Sequence, residues 1–137
     1  MNPLPESDLA LMIRTDFSDE SAWNEIREII KTPVDGFYAY VHYVEDRDYD
    51  GITRDQILEL FRGHNQSFAM IVDETSIKNA EHPIRVIDLF NDDHPEFRAI
   101  PSMIQSIENN LSIANLDFED FSSAADPDGI LRGFREF

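Results

Sequence analysis

Asp46-Arg47-Asp48-Tyr49-Asp50-Gly51 is the stretch whose residue types and spacing most directly spell out a chemistry. Alternating carboxylates closed by a sharp-turn glycine are the way a calcium loop wraps a hard cation. Such a loop needs a bidentate Glu at its twelfth position, and that position holds Ile57, with Glu59 two residues late. The segment also lies between an expected strand and an expected helix, not between two helices. Asp46, Asp48 and Asp50 are metal ligands in one reading. In the competing one they form a solvated acidic turn ahead of a helix capped by Thr53.

A second chemistry follows from strand ends. In open α/β sheets, ligands gather beyond the carboxyl ends of parallel strands. Acids stand at three such ends: Asp16, then Glu45 and Asp46, then Asp73 and Glu74. Converging, they would hold Mg²⁺ for a metal-assisted reaction. The companions of such a site are missing, since there is no Asp-x-Asp pair after the first strand and no glycine-rich phosphate loop. Acids at strand ends are more often turn and cap residues. His42, His64, His82 and His94 show no metal-ligand spacing, and the two that precede proline read as exposed loop residues. No nucleophile elbow, Walker loop or dinucleotide fingerprint occurs, and no cofactor is implied.

The third feature is Ile107 to Phe118, where Asn109, Asn110 and Asn115 lie among strongly apolar residues. Amides in such a setting need partners. They either pin a chain connection or present themselves to a ligand. The structural version has Asn109 or Asn110 ending a helix in the left-handed region, and Asn115 preceding a cap at Asp117.

The elements that must position these residues follow from apolar patterning. Leu9–Ile13 is a short apolar run and reads as a buried strand. Ser18-Asp19-Glu20 starts a helix whose face carries Trp23, Ile26, Ile29 and Ile30. Phe37 to Val44 is aromatic and β-branched, hence a strand. Thr53 with Gln56 makes a capping box for a helix that Gly63 ends. Phe68–Val72 reads as a strand covered on both faces. Ile84 to Phe90 and Phe97 to Ile100 pair as a hairpin. Pro101 opens a further helix, and Asp117 caps a last short one.

The order β-α-β-α-β-β-β-α-α gives an α/β fold, bordering on α+β: one mixed sheet of about five strands flanked by helices. Pro3 and Pro5 make residues 1–8 a flexible arm, and 9–137 one acidic globular domain. The chain of 137 residues carries 28 Asp and Glu against 11 Lys and Arg, a formal net charge of −17. With 42% hydrophobic and 11% aromatic residues it is no disordered acidic tail. Cysteine is absent, so thiolate metal sites and disulfides are excluded. Neither a signal peptide nor an apolar run of membrane-spanning length is visible, and a cytoplasmic location is expected.

Ile13-Arg14-Thr15-Asp16-Phe17-Ser18-Asp19 with Trp23, and Glu108 through Phe121, together with His82-Pro83 and Asp88-Leu89, resemble a family of small bacterial proteins classed only as a domain of unknown function. The resemblance runs from about Leu9 to Phe134 and brings no catalytic residues with it. It implies that Arg14, Asp16 and Asn109 to Asn115 are shared features, structural or functional. The aspartates of the 46–51 loop become local embellishment around Tyr49, Gly51 and Thr53.

Charge sets the functional expectation. A strongly acidic surface repels nucleic acid and anionic membrane and favours basic partners. The chain is expected to be an interaction module, of inhibitor or immunity type, for a basic protein, and not an enzyme. Arg14, Asp16, Asn109, Asn110 and Asn115 are its candidate binding residues. The alternatives are a metal-assisted enzyme on the strand-end carboxylates, a calcium loop at 46–51, or a DNA mimic.

Overall fold

The computed structural model describes residues 1–134, so the end of the expected 9–137 domain, residues 135–137, lies outside the described residues. Strand β1 (Ala10–Arg14) is buried along its whole length, as its unbroken apolar run requires. Helix α1 (Glu20–Lys31) begins at Asp19, whose carboxylate accepts the Ala22 amide and satisfies a free donor of the first turn. Strand β2 (Val41–Val44) follows.

Helix α2 (Arg54–Phe61) carries the capping box expected of Thr53 and Gln56, with both reciprocal bonds formed. Strand β3 (Phe68–Val72) is fully buried. Helix α3 (Glu74–Lys78), strand β4 (Ile84–Asp88) and strand β5 (Glu96–Ala99) come next. Pro101 opens a single 3-10 turn that leads into helix α4 (Ile104–Ser112). Helix α5 (Phe118–Ser122) and strand β6 (Ile130–Leu131) complete the described chain.

The six strands form one mixed sheet in the order β2-β1-β3-β4-β5-β6. β1, β2 and β3 are mutually parallel, β4 runs against β3, β5 runs against β4, and β6 is parallel to β5. The chain is thus a single α/β domain. One core gathers Met12, Trp23, Ile26, Met70, Val86 and Ile104 on the face that α1, α4 and α5 cover. The other places Leu11, Ile13, Ile71 and Ile87 against Ile57 and Phe61 of α2. Because α1 and α2 lie on opposite faces, the winding reverses between β1 and β3. That reversal is where doubly wound sheets open a crevice at their carboxyl ends.

Three expectations need correction. The strand expected over Phe37 to Val44 begins only at Val41. Asp35 and Gly36 adopt positive φ of 50° and 83°, turning the chain so that Val34 and Phe37 bridge each other. Tyr40 then gives its amide to Glu108 instead of to β1. Second, Asp73 and Glu74 do not merely end a strand but start α3, five residues long. Third, a sixth strand exists, since Ile130 and Leu131 pair with Arg98 and Ala99. Residues 1–8, read above as an arm, contribute a buried Leu4 to the α2 face.

Candidate functional site

Arg14 ends β1 at the carboxyl edge of the parallel strands, where a ligand crevice was expected. Its side chain is only 2% exposed. The guanidinium lies between two rings, with Cζ 4.4 Å from the centroid of Phe17 and 5.1 Å from that of Trp23. Nε donates to the Asp16 carbonyl at 2.9 Å, and Nη1 donates to Glu20 at 2.9 Å and to Glu45 at 3.3 Å. Trp23 Nε1 donates to the same Glu45 oxygen. Arg27 closes the array from the far side, 5.6 Å from the Trp23 ring and 3.7 Å from the second Glu45 oxygen. The crevice is therefore filled by the chain's own ion pairs and rings. Arg14 and Glu45 hold it shut, while Asp16 turns away to cap the Ser18 amide and hydroxyl.

The remaining strand-end carboxylates do not join this array. Asp73 caps α3 through the Ser76 amide and takes a bidentate pair from Arg98, at 2.9 and 2.7 Å. Burial pushes the Asp73 carboxyl upward, but the Arg98 fork and the Ser76 bonds outweigh it and hold it below the ordinary value of 3.8. Glu74 pairs along its own helix with Lys78 at 2.8 Å. Among the described residues no three of His, Asp and Glu come together in a way that could hold a metal ion. The convergence needed for a magnesium site is absent.

The 46–51 loop closes on the N-terminal segment. Asp46 accepts the Asp48 amide at 2.9 Å and the Asn2 side-chain amide at 2.8 Å, and Asp48 accepts the Asn2 backbone amide at 2.6 Å. The Asn2 bond, followed by the Asp48 amide, lowers the Asp46 carboxyl. Tyr49 is buried, with its hydroxyl donating to the Asn2 carbonyl at 2.6 Å. Burial raises its phenol, and the Asp46 and Asp48 charges add to that. Asp50 is exposed and stands apart. The D-x-D-x-D-G pattern here builds one 3-10 turn, and Asn2 donates to two of its carboxylates.

The asparagines are joinery. Asn109 donates to the Tyr38 carbonyl at 2.8 Å and to Glu108 at 2.9 Å. Asn110 bonds back to the Ser106 carbonyl, and Asn115 bonds Asn110 with both backbone and side chain. The left-handed residue that ends this segment is Ala114 (φ 54°), not Asn109 or Asn110, whose amides are occupied inside the helix.

Sequence reasoning passed over Glu108, which is buried and accepts from the Tyr40 amide, Asn109 and the Ser112 hydroxyl. Its only sequence signal is the i,i+4 spacing to Ser112. Glu108→Ala is expected to cost about 2 kcal/mol, because the Tyr40 amide, Asn109 and the Ser112 hydroxyl all lose their acceptor and the buried side chain leaves a gap. Glu108→Gln keeps an oxygen for Tyr40 and should cost less than half as much; urea unfolding compares them.

His82, expected to be exposed, is buried with φ 49°. Its Nδ1 lies 2.8 Å from the Ser76 carbonyl and its Nε2 lies 2.9 Å from Glu25, so it ties α1 to the α3–β4 connection.

Open space lies at the opposite end of the sheet, beside the amino ends of β1, β2 and β3 and the carboxyl end of β4. Grooves open there among the described residues. One of about 710 Å³ lies between the 88–95 loop and the α4–α5 connection, one of about 490 Å³ beside Phe37, Tyr40 and Ile113, and a polar one of about 600 Å³ near Asp8 and His64. The same end carries Leu9, Phe37, Tyr38, Tyr40, Phe90 and Ile113, all exposed. None of these apolar residues was singled out from sequence, because each is ordinary alone and only the fold groups them.

The chain belongs to the family described as a domain of unknown function (DUF6924), whose model matches residues 9–134. No curated protein matches it. Among the described residues no helix is long and apolar enough to cross a membrane.

Proposed function

We propose that this domain is a cytoplasmic bacterial interaction module, of inhibitor or immunity type, that engages a basic protein through its acidic surface. One observation supports this reading above others: among the described residues the positive side chains already have partners within the chain. Arg14, Arg27, Arg54, Arg62, Lys78, Arg85, Arg98 and Arg132 each pair with a carboxylate. Lys31 and Arg47 lie over the rings of Tyr43 and Phe17. The excess of 28 acids over 11 bases is therefore a field with no internal counterpart. Such a field speeds encounter with a basic partner and rejects acidic ones.

The test is titration of the protein against a panel of basic proteins and a matched acidic panel, from about 20 to about 300 mM NaCl. The association rate with basic proteins should fall by about tenfold or more across that range. Absence of association with every basic protein, or association indifferent to salt, would overturn the proposal.

A further inference from the structure

We infer that the groove between the 88–95 loop and the α4–α5 connection receives an arginine-bearing segment of the partner, with a guanidinium set between Phe90 and the carboxylates around it. The inference rests on the basic-partner reading above and gives it a place on the molecule.

Asp88 is the starting point. It ends β4 with 2% of its surface exposed, and it lines the groove. Its carboxylate accepts the Phe90 amide at 2.8 Å, the Asn91 amide at 3.4 Å and the Asn91 side-chain amide. Among the described residues no Lys or Arg pairs with it. A buried carboxylate held only by neutral donors is costly, and a nearby cation is its usual compensation. Asp73 shows the contrast, since its partly exposed carboxylate is met by the Arg98 fork.

Phe90 is the second observation. It is 84% exposed although it is the residue whose amide Asp88 fixes. His94, with φ 45°, donates from Nδ1 to the Asp88 carbonyl at 2.9 Å and holds the far side of the loop. The ring is thus presented by a tied loop, which reduces the ordering cost of binding. The rest of the groove matches an arginine. Leu111, Leu116 and Phe118 supply apolar surface for the side-chain stem, and Asp93, Asp117 and Glu119 supply acceptors. Among the described residues no Lys or Arg lines it. A planar guanidinium stacks flat on an aromatic ring and forks onto a carboxylate through two parallel bonds, whereas an ammonium is a compact point charge with neither the flat face nor the fork. A second copy of this chain is a poor occupant, because it brings a charge of −17 to an acidic groove.

The experiment follows backbone amides of the full chain by NMR while a blocked octapeptide alternating arginine and leucine is added. A second peptide carries glutamine at the arginine positions. Shifts should concentrate at 88–95 and 111–119, and the glutamine peptide should bind at least about tenfold more weakly. Phe90→Ser, and the pair Asp93→Asn with Glu119→Gln, should each weaken the arginine peptide by about tenfold. These side chains are exposed, so an unchanged melting temperature confirms that the fold survives. Shifts centred elsewhere, or undiminished binding by both variants, would overturn the groove and leave the basic-partner reading standing. Equal binding of the two peptides would replace arginine recognition by apolar docking and overturn the inference. If the peptide fails while basic proteins still associate, the groove alone falls; if neither associates, both readings fall.

Discussion

Trp23→Ala is expected to destabilise the domain by about 4 kcal/mol, lowering Tm by roughly 12 °C or more. Trp23 is completely buried in the α1 face of the core. Its ring touches Tyr43 edge-on at 6.1 Å and lies under the guanidinium groups of Arg14 and Arg27. Truncation leaves a large cavity and also removes one of the two rings that hold Arg14. Trp23→Phe keeps most of the volume but loses the bond from Nε1 to Glu45, and should cost about half as much. Glu45→Ala removes the acceptor shared by Trp23 and Arg14. Combined with Trp23→Phe it should be less damaging than the two single changes added, with a coupling of about 1 kcal/mol. Equilibrium urea unfolding of the four proteins measures this. Strict additivity would mean that the shared Glu45 oxygen contributes nothing.

The array around Trp23 also shows what could be read from sequence and what could not. The element order was legible because its signals are local: unbroken apolar runs for β1 and β3, Asp19 and Thr53 as caps, Pro101 at a helical first turn. The start of β2 was not, because Phe37 to Tyr40 have strand-forming side chains but lose their pairing to Glu108, 68 residues from Tyr40. α3 and β6 have five and two residues, too short for a period to register. For the site, the rule about strand carboxyl ends located Asp16 and Glu45 but not their state, and Arg14 entered only through the family resemblance. Whether acids converge on a cation or close on arginines depends on side chains brought from β1, α1 and the end of β2. The groove at the other end is assembled from residues 67–68, 88–95 and 111–122, which no spacing in the sequence connects.

The two ends of the sheet consequently divide the labour of charge. At the carboxyl ends of the parallel strands, acids are matched by Arg14, Arg27 and Arg98, and stability is the result. At the amino ends, Asp88, Asp93, Asp117 and Glu119 meet no arginine or lysine among the described residues that line their groove, and the exposed Phe90 ring stands beside them. A net charge distributed in this way describes a binding face only where it is left unbalanced.

Asp73→Ala is expected to cost about 3 kcal/mol at neutral pH, a large effect for one carboxylate. The change removes the N-cap of α3, including the acceptor for the Ser76 amide, and leaves the Arg98 guanidinium with only the Pro83 carbonyl. Asp73→Asn keeps an oxygen for the cap and should cost about half as much. Acid separates the two contributions. The folded carboxyl lies below its ordinary value of 3.8 because Arg98 and Ser76 outweigh the effect of burial. Its ionic stabilisation is therefore fully present above that ordinary value and is lost as pH falls through it towards the lower folded value. The stability gap between the natural protein and Asp73→Asn should then narrow progressively below about pH 4. Glu96, lowered mainly by its bond from Arg85, adds acid sensitivity to both proteins alike and cancels in the comparison. Urea unfolding at several pH values between about 7 and 2.5 reads the gap directly. A gap that stays constant with pH would assign the whole cost to the cap and none to the Arg98 pair.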